Sequence, residues 1–208
     1  MANQTLLLAC AFATLAMSAP DMAFGAGAKP FGVTRTTLPS ALGCTPVYPE
    51  TATDATGQYV CRSLPGGSGD FDQYILAFVA GLGICNVTAV TPYREDDGRG
   101  TLTRAAFSKL TDDMSALYGR PDQRVDHATS PASATDGLFT TSVIAEDRQV
   151  FDQWNDLAKL GADLESASLA VSGSDELGLA VFSVVRFSGN DACLNRLEAV
   201  TGDGDSDN

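Results

Sequence analysis

From residue 74 onward the apolar positions of the chain fall into two periods. Residues 74–80 read YILAFVA, an unbroken apolar run with aromatic and β-branched members, as expected of a strand covered on both faces. Residues 81–83 allow a turn or bulge. Residues 84–91 continue as a second strand, whose alternation points Cys85, Val87 and Ala89 the same way. The two strands form a predicted hairpin, and the polar stretch YREDDGRG at 93–100 follows as a turn. The period then changes. Over residues 102–118, Phe107, Leu110, Met114 and Leu117 recur at helical spacing, while Arg104, Ser108, Asp112 and Ser115 face away. Thr101 or Thr103 is expected to cap this helix, and Gly119 followed by Pro121 to end it.

Beyond it, residues 120–137 hold Pro121, Pro131 and a Ser/Thr/Ala-rich stretch, which predicts a long and mobile loop. Residues 138–145 read as an edge strand. Val150, Trp154, Leu157 and Leu160 have helical spacing and predict a second helix, ended by Gly161. Residues 164–172 alternate as a strand, 173–176 turn, and LGLAVFSVVRF at 177–187 is the longest strongly apolar strand, expected at the sheet centre. Residues 191–200 predict a short last helix. The order β-β-α-(β)-α-β-β predicts an α+β fold, an antiparallel sheet with two or three helices packed on one face.

Upstream the texture differs. Pro30, Pro39, Pro46 and Pro49, with Thr and Gly between them, predict an irregular segment ending in a short strand at 58–63 and a PGGSG connector at 65–69. The expected organisation is therefore an irregular N-terminal region over 29–69, an α+β domain over 70–200, and a disordered acidic tail over 201–208.

The first residues read as an address. Residues 6–17, LLLACAFATLAM, are too short an apolar run for a span of about 20 residues, yet fit a signal-peptide core of about 7 to 15. Ala26-Gly27-Ala28 supplies an A-x-A cleavage pattern, with Ala23-Phe24-Gly25 as its rival, so residues 1–28 are expected to be removed. No Lys or Arg precedes Lys29, which departs from the usual positive n-region and points to a start farther upstream. Leu7-Leu8-Ala9-Cys10 resembles a lipobox, so anchoring through a lipid on Cys10 is the alternative to free export. After Met17 no apolar run approaches 18 residues, and no transmembrane segment is expected in the mature chain.

The cysteines agree with export. Of five, Cys10 leaves with the signal, and Cys44, Cys61, Cys85 and Cys193 remain. An even set in an oxidising compartment favours two disulfides, although four cysteines allow three connectivities. The short separation of Cys44 and Cys61 predicts a local bridge, leaving Cys85 to pair with Cys193. No C-x-x-C pair occurs, so zinc and thiol-redox chemistry are not expected.

Composition narrows the chemistry further. The chain has 208 residues, 44% apolar and 19% charged, enough to bury a core. Its 26 acidic residues against 13 basic ones give a formal charge of −13, and no Lys/Arg cluster interrupts it, so nucleic acid is not an expected partner. His127 is the single histidine. Asp126-His127-Ala128-Thr129-Ser130 suggests a hydrolytic triad, yet neighbouring residues rarely meet in that geometry, and a solvated loop histidine is the preferred reading. Asp112-Asp113 and Asp122/Asp126 offer carboxylates for a glycosidase-style acid and base, yet such pairs are common in a chain with 26 acidic residues, and Asp112 and Asp113, as helical neighbours, face different directions. Glu95-Asp96-Asp97 reads as a charged turn. Asp203, Asp205 and Asp207 imitate the first half of an EF-hand loop without its closing Glu. Asn86-Val87-Thr88 matches a glycosylation acceptor inside a predicted strand. Trp154, the only tryptophan, together with Tyr74, Phe78, Tyr93 and Tyr118, is read as core rather than groove lining. No catalytic, cofactor-binding or metal-ligating residue is assigned, and no cofactor is expected.

Phe107-x-x-Leu110 followed by Leu117-Tyr118-Gly119-Arg120-Pro121, together with Gly83-Ile84-Cys85 and Cys193, resembles small exported bacterial envelope proteins in which a helix ends in Y-G-x-P. The resemblance touches residues 70–195. It implies an envelope location and a disulfide-stabilised α+β fold, with no activity to transfer. The resulting expectation is a periplasmic or secreted, non-catalytic module that binds or supports an envelope protein or a small ligand. The alternatives are a hydrolase or hydrolase inhibitor using segment 120–137, and a weak calcium response through the acidic tail.

Overall fold

The computed structural model describes residues 29–48, 50–160 and 163–201. The signal segment with Cys10, the terminating Gly161 and the Asp-rich tail after Thr201 lie outside the described residues. The architecture is α+β and antiparallel. Eight strands form one sheet in the order β1-β2-β3-β4-β8-β7-β6-β5. They are β1 (Thr45–Pro46), β2 (Gly57–Cys61), β3 (Gln73–Val79), β4 (Gly83–Val90), β5 (Gln123–Ala128), β6 (Arg148–Trp154), β7 (Leu164–Ser174) and β8 (Gly178–Phe187). Three helices accompany them: α1 (Thr101–Tyr118), α2 (Phe139–Ile144) and α3 (Asn190–Thr201). Residues 29–56 are mostly irregular, with short 3-10 turns at Pro30–Gly32 and Pro39–Leu42. Because β2 pairs with β3 along its whole length, this region and the rest of the chain share one sheet and one core.

Strand alternation explains the layers. Tyr74, Leu76 and Phe78 of β3, Val87 and Ala89 of β4, Leu169 of β7, and Val181 and Val185 of β8 point to one face and join the main core. α1 lies over this face across β7 and β8, and α2 packs beside it on β6 and β7 through Phe139 and Val143. The buried side of α1 carries Thr103, Leu110, Thr111, Met114 and Tyr118, so the stripe read from sequence is rotated slightly and Leu117 sits at its exposed edge. α3 lies on the opposite face, over β3 and β4, against Ala77, Val79 and Cys85.

That last contact depends on a β-bulge. Leu76 pairs with Val87 and Ala77 with Asn86, but Phe78 pairs with Ile84, leaving Cys85 as an extra residue. Cys85 is thereby turned away from Val87 and Ala89, contrary to simple alternation, and reaches Cys193 of α3 with a Cα–Cα distance of 5.6 Å. The second bridge joins Cys44 to Cys61 at a Cα–Cα distance of 4.4 Å. Thr45 pairs with Val60, so these cysteines continue the β1/β2 ladder, and the distance is that of a closely spaced cross-strand pair, about 4.5 Å.

Three expectations are corrected. The predicted loop 120–137 contains β5, an edge strand whose polar residues gave no apolar signal. Residues 138–145 are not a strand; α2 forms there, burying Phe139, Ser142 and Val143 at helical spacing. The helix expected from Val150 and Trp154 is β6, continued by a 3-10 turn at Leu157–Leu160. Val150, Asp152 and Trp154 share the face beneath the helices, and the charged Asp152 in that series hides the alternation from the sequence.

The two bridges close loops of 17 and 108 residues. Chain entropy assigns them about 3 and nearly 5 kcal/mol. Removing Cys85 and Cys193 by Ser substitution should therefore lower the unfolding free energy more than removing Cys44 and Cys61, a difference that urea titration of the two double variants measures directly.

Candidate functional site

The main face is covered by two unlike materials. Helices α1 and α2 roof β8, β7 and β6, whereas the irregular stretches on either side of β1 and β2, residues 30–44 and 62–71, cover the earlier strands with Val33, Cys44, Leu64 and Phe71. At the seam lies a cavity of about 390 Å³, walled by Leu110, Met114 and Tyr118 of α1 on one side and by Phe31 and Phe71 on the other, with Ser183 and Val185 of β8 as its floor. Ser183 is small and almost fully buried, and its hydroxyl donates to the Met114 Sδ at 3.6 Å.

Each wall is fixed locally. Phe31 (φ 52°) and Gly32 (φ 76°) take left-handed conformations, and the Gly66 N–H donates to the Phe31 carbonyl at 2.9 Å, clamping the first turn to the connector. The Phe31 ring packs edge-on against Phe71 and Tyr74, at centroid distances of 5.9 and 5.4 Å. Across the gap, α1 stops at Gly119, whose positive φ of 84° suits a residue without Cβ, and its carbonyl accepts from Trp154 Nε1 at 2.7 Å. The Y-G-x-P motif thus anchors the end of α1 to the core tryptophan and sets Tyr118 in the cavity wall. Burial pushes the Tyr118 phenol up to about 12.

The rim is charged. Lys109 Nζ donates to Asp70 at 2.7 Å and to Asp113 at 2.9 Å, tying α1 to the connector beside the opening. Hydrogen bonding from Lys109, then from Ser68, holds the Asp70 carboxyl below its usual range. Lys29 stands on the same rim. The arrangement is a mostly apolar chamber with Tyr118 and Ser183 in its lining and the Lys109 ion pairs at its edge.

A second, smaller depression of about 230 Å³ lies between α1, α2 and β5, lined by Arg104, Thr111, Arg124, Asp126 and Phe139 among others. Two ion pairs brace it. Asp152, fully buried, accepts from Thr111 Oγ1 at 2.8 Å and from Arg124 Nε and Nη2 at 3.0 and 3.1 Å. Arg148, only 7% exposed, grips Asp126 through two bonds of 2.6 and 2.8 Å. The guanidinium groups of Arg104 and Arg148 each lie 5.0 Å from the Phe139 ring centre. These groups brace α2 and the β5 edge.

The residues singled out from sequence are dispersed. Asp126 and His127 are successive residues of a strand and point to opposite faces; Asp126 is bound to Arg148, and Ser130 bonds Ser133 in the following turn. Asp113 lines the large cavity and Asp112 the small one. Asp122 accepts from the Asn155 N–H at 2.6 Å. Asp97 accepts from the Thr101 N–H at 3.0 Å and Asp96 from the Leu102 and Thr103 N–H groups at 3.2 and 2.7 Å, so the acidic turn caps α1 in place of the threonines expected there. Asn86 lies under α3, its amide bonded to Asn190. Tyr74, Phe78 and Trp154 are core, Tyr118 lines the cavity, and Tyr93 is 42% exposed. Among the described residues no three His, Cys, Asp or Glu side chains converge as metal ligands, and no helix is long and apolar enough to cross a membrane. The cavity itself went unread because its two walls are far apart in sequence and Phe31 lay in a stretch read only as irregular. Compared with family models, with curated proteins and with solved structures, the chain matches none.

Two outcomes follow from this geometry. The unfolded chain ionises Tyr118 near pH 10 and the folded chain near 12, so its stabilising contribution is whole below pH 10 and is lost as pH rises towards 12. Tyr118→Phe should reduce the fall in unfolding free energy over that window by roughly 2 to 3 kcal/mol, read from urea titrations at successive pH values. In the smaller depression, Arg124→Met leaves the buried Asp152 carboxylate without its cation. It should destabilise more than Asp152→Asn, which removes the charge itself, and thermal unfolding ranks the two.

Proposed function

We propose that this chain is an exported binding module of the periplasm or extracellular space, whose cavity between α1 and segment 30–71 holds a small, largely apolar molecule. The observation that carries the reading is the cavity: about 390 Å³ lies within the range of about 300 to 1,000 Å³ typical of small-molecule sites, and a few polar groups converge on mostly apolar walls. Tyr118, protonated throughout the physiological range, is suited to donate to an acceptor on the ligand, and Ser183 offers a second hydroxyl at the floor.

Export is supported independently. Two disulfides close the fold, and such bridges persist in oxidising compartments. The apolar run at 6–17 with its A-x-A site supplies the address, and the Tyr118-Gly119-Arg120-Pro121 helix end resembles that of small exported envelope proteins. The bridge between Cys44 and Cys61 fastens the irregular N-terminal stretch to β2, so the role assigned to the cysteines is mechanical.

Binding of the neutral fluorescent probe N-phenyl-1-naphthylamine to the oxidised protein tests the reading. The probe should brighten saturably on the wild type, lose at least about tenfold in affinity with Met114→Trp, which fills the chamber, and dissociate faster from Lys109→Ala, which releases the rim. A wild-type protein that leaves the probe dark, or a Met114→Trp variant that binds it equally well, would overturn the assignment.

A further inference from the structure

Among the described residues, the face of the sheet opposite α1 is covered by α3 only over β3 and β4. Over the remaining strands the register builds a continuous apolar row: Val125 of β5 pairs with Phe151 of β6, Phe151 with Ala170 of β7, Ala170 with Phe182 of β8, and Phe182 with Val90 of β4. Of these five, all but Val90 are half-exposed, and none joins a buried cluster of the core. Tyr93, 42% exposed, stands edge-on to Phe182 at 6.1 Å and extends the row beyond the sheet. Thr88, Val184, Ser168 and Gln153 run uncharged along one side of the row, and the ionisable side chains on this face, Arg186 beyond Val184 and His127 beyond Val125, are basic.

Charge decides what fits here. The chain holds 26 acidic residues and a net charge of −13, yet from β4 to β5 none of the paired positions on this face is Asp or Glu. Asp126 and Asp152 stand on the opposite face, and Glu165, in the bulge of β7, is spent on the N–H groups of Gly189 and Asn190. Two copies of so acidic a chain repel each other almost wherever they meet, except through a surface from which carboxylates are missing. The row is also self-complementary in shape. Ala170 lies between the Phe151 and Phe182 rings, so a second row crossing at a two-fold axis sets its own ring over each alanine, as facing sheets do at a spacing of about 10 Å.

We infer that this face is a two-fold interface at which a second copy of the chain docks sheet to sheet through the row from Val125 to Val90. The cavity opens on the other side of the sheet and stays accessible in such a dimer.

Sedimentation velocity of the oxidised exported chain over a concentration series tests this. The wild type should show a reversible monomer–dimer equilibrium that tightens as salt screens the like charges. Phe151→Glu should weaken the dimer about a hundredfold or more, by burying a carboxylate from each copy, and Ser168→Asp, a polar position on the same face that leaves the core untouched, about tenfold. Leu102→Glu, on the exposed side of α1, should leave it unchanged. A wild type that stays monomeric at every concentration overturns the inference and leaves the face to a different partner. A dimer that survives both Phe151→Glu and Ser168→Asp overturns it as well.

Discussion

An eight-stranded sheet presents two broad faces, and the described residues form only three α-helices, one of them six residues long, with which to hide them. Burial of apolar surface is the main force that stabilises a fold, so that shortage of helical cover governs the rest. On the main face α1 and α2 reach across the later strands, and the irregular stretches 30–44 and 62–71 serve as a second roof over the earlier ones. A looped roof has little hydrogen-bonded structure of its own, which is why it is fastened: by the bridge from Cys44 to Cys61, by the Phe31–Phe71–Tyr74 cluster, and by the ties from Asp54 to Ser40 and from Arg35 to the carbonyls of Leu82 and Ser188. The other face has only α3, and α3 is held there by a disulfide that a bulge makes geometrically available.

The acidic composition is put to structural use within the same frame. Asp96 and Asp97 cap α1, which begins at Gly100 in a left-handed conformation and has no capping side chain of its own. Asp122 and Asp126 steady the β5 edge through the Asn155 N–H and Arg148, and Asp152 links β6 to both α1 and β5. A carboxylate next to orphan N–H groups or a guanidinium is in its favourable state, and Asp96, Asp97 and Asp126 are accordingly held below the usual carboxylate range. Pairs of acids that resemble catalytic dyads in the sequence are thus separated, and Asp113, Asp122 and Asp126 each have their own donor.

What was legible in the sequence, and what was not, follows the same physics. Strands β3, β4, β7 and β8 and helices α1 and α3 announce themselves because their buried positions are filled by apolar residues at the right period. β6 does not, because Asp152 and Arg148 occupy inward positions and Phe151 an outward one, which inverts the pattern by which a strand is recognised. α2 does not, because Thr140, Thr141, Val143 and Ile144 favour extended backbone, and only the burial of Phe139 and Val143 against Val171 and Leu179 overrides that preference. The disulfide pairing was legible from separation alone, whereas the direction of Cys85 required the bulge. The cavity depends on which irregular residues face α1, a tertiary relation that no local pattern encodes.

The two faces finally differ in the kind of gap they leave. On the α1 side the gap is concave, lies between two roofs that meet at a small floor residue, and is enclosed by aromatic and thioether side chains; a small molecule gains more from such a seam than a protein surface does, because only the former can fill it. On the α3 side the row is half-buried, runs across five strands and is free of carboxylates; another broad surface is what removes the rest of it from water. A sheet with too little helix to cover it thus divides its exposed apolar area between a site shaped for a ligand and one shaped for another sheet. Ser183 and Phe182 mark the division: adjacent in β8, one forms the floor of the cavity and the other the middle of the open row.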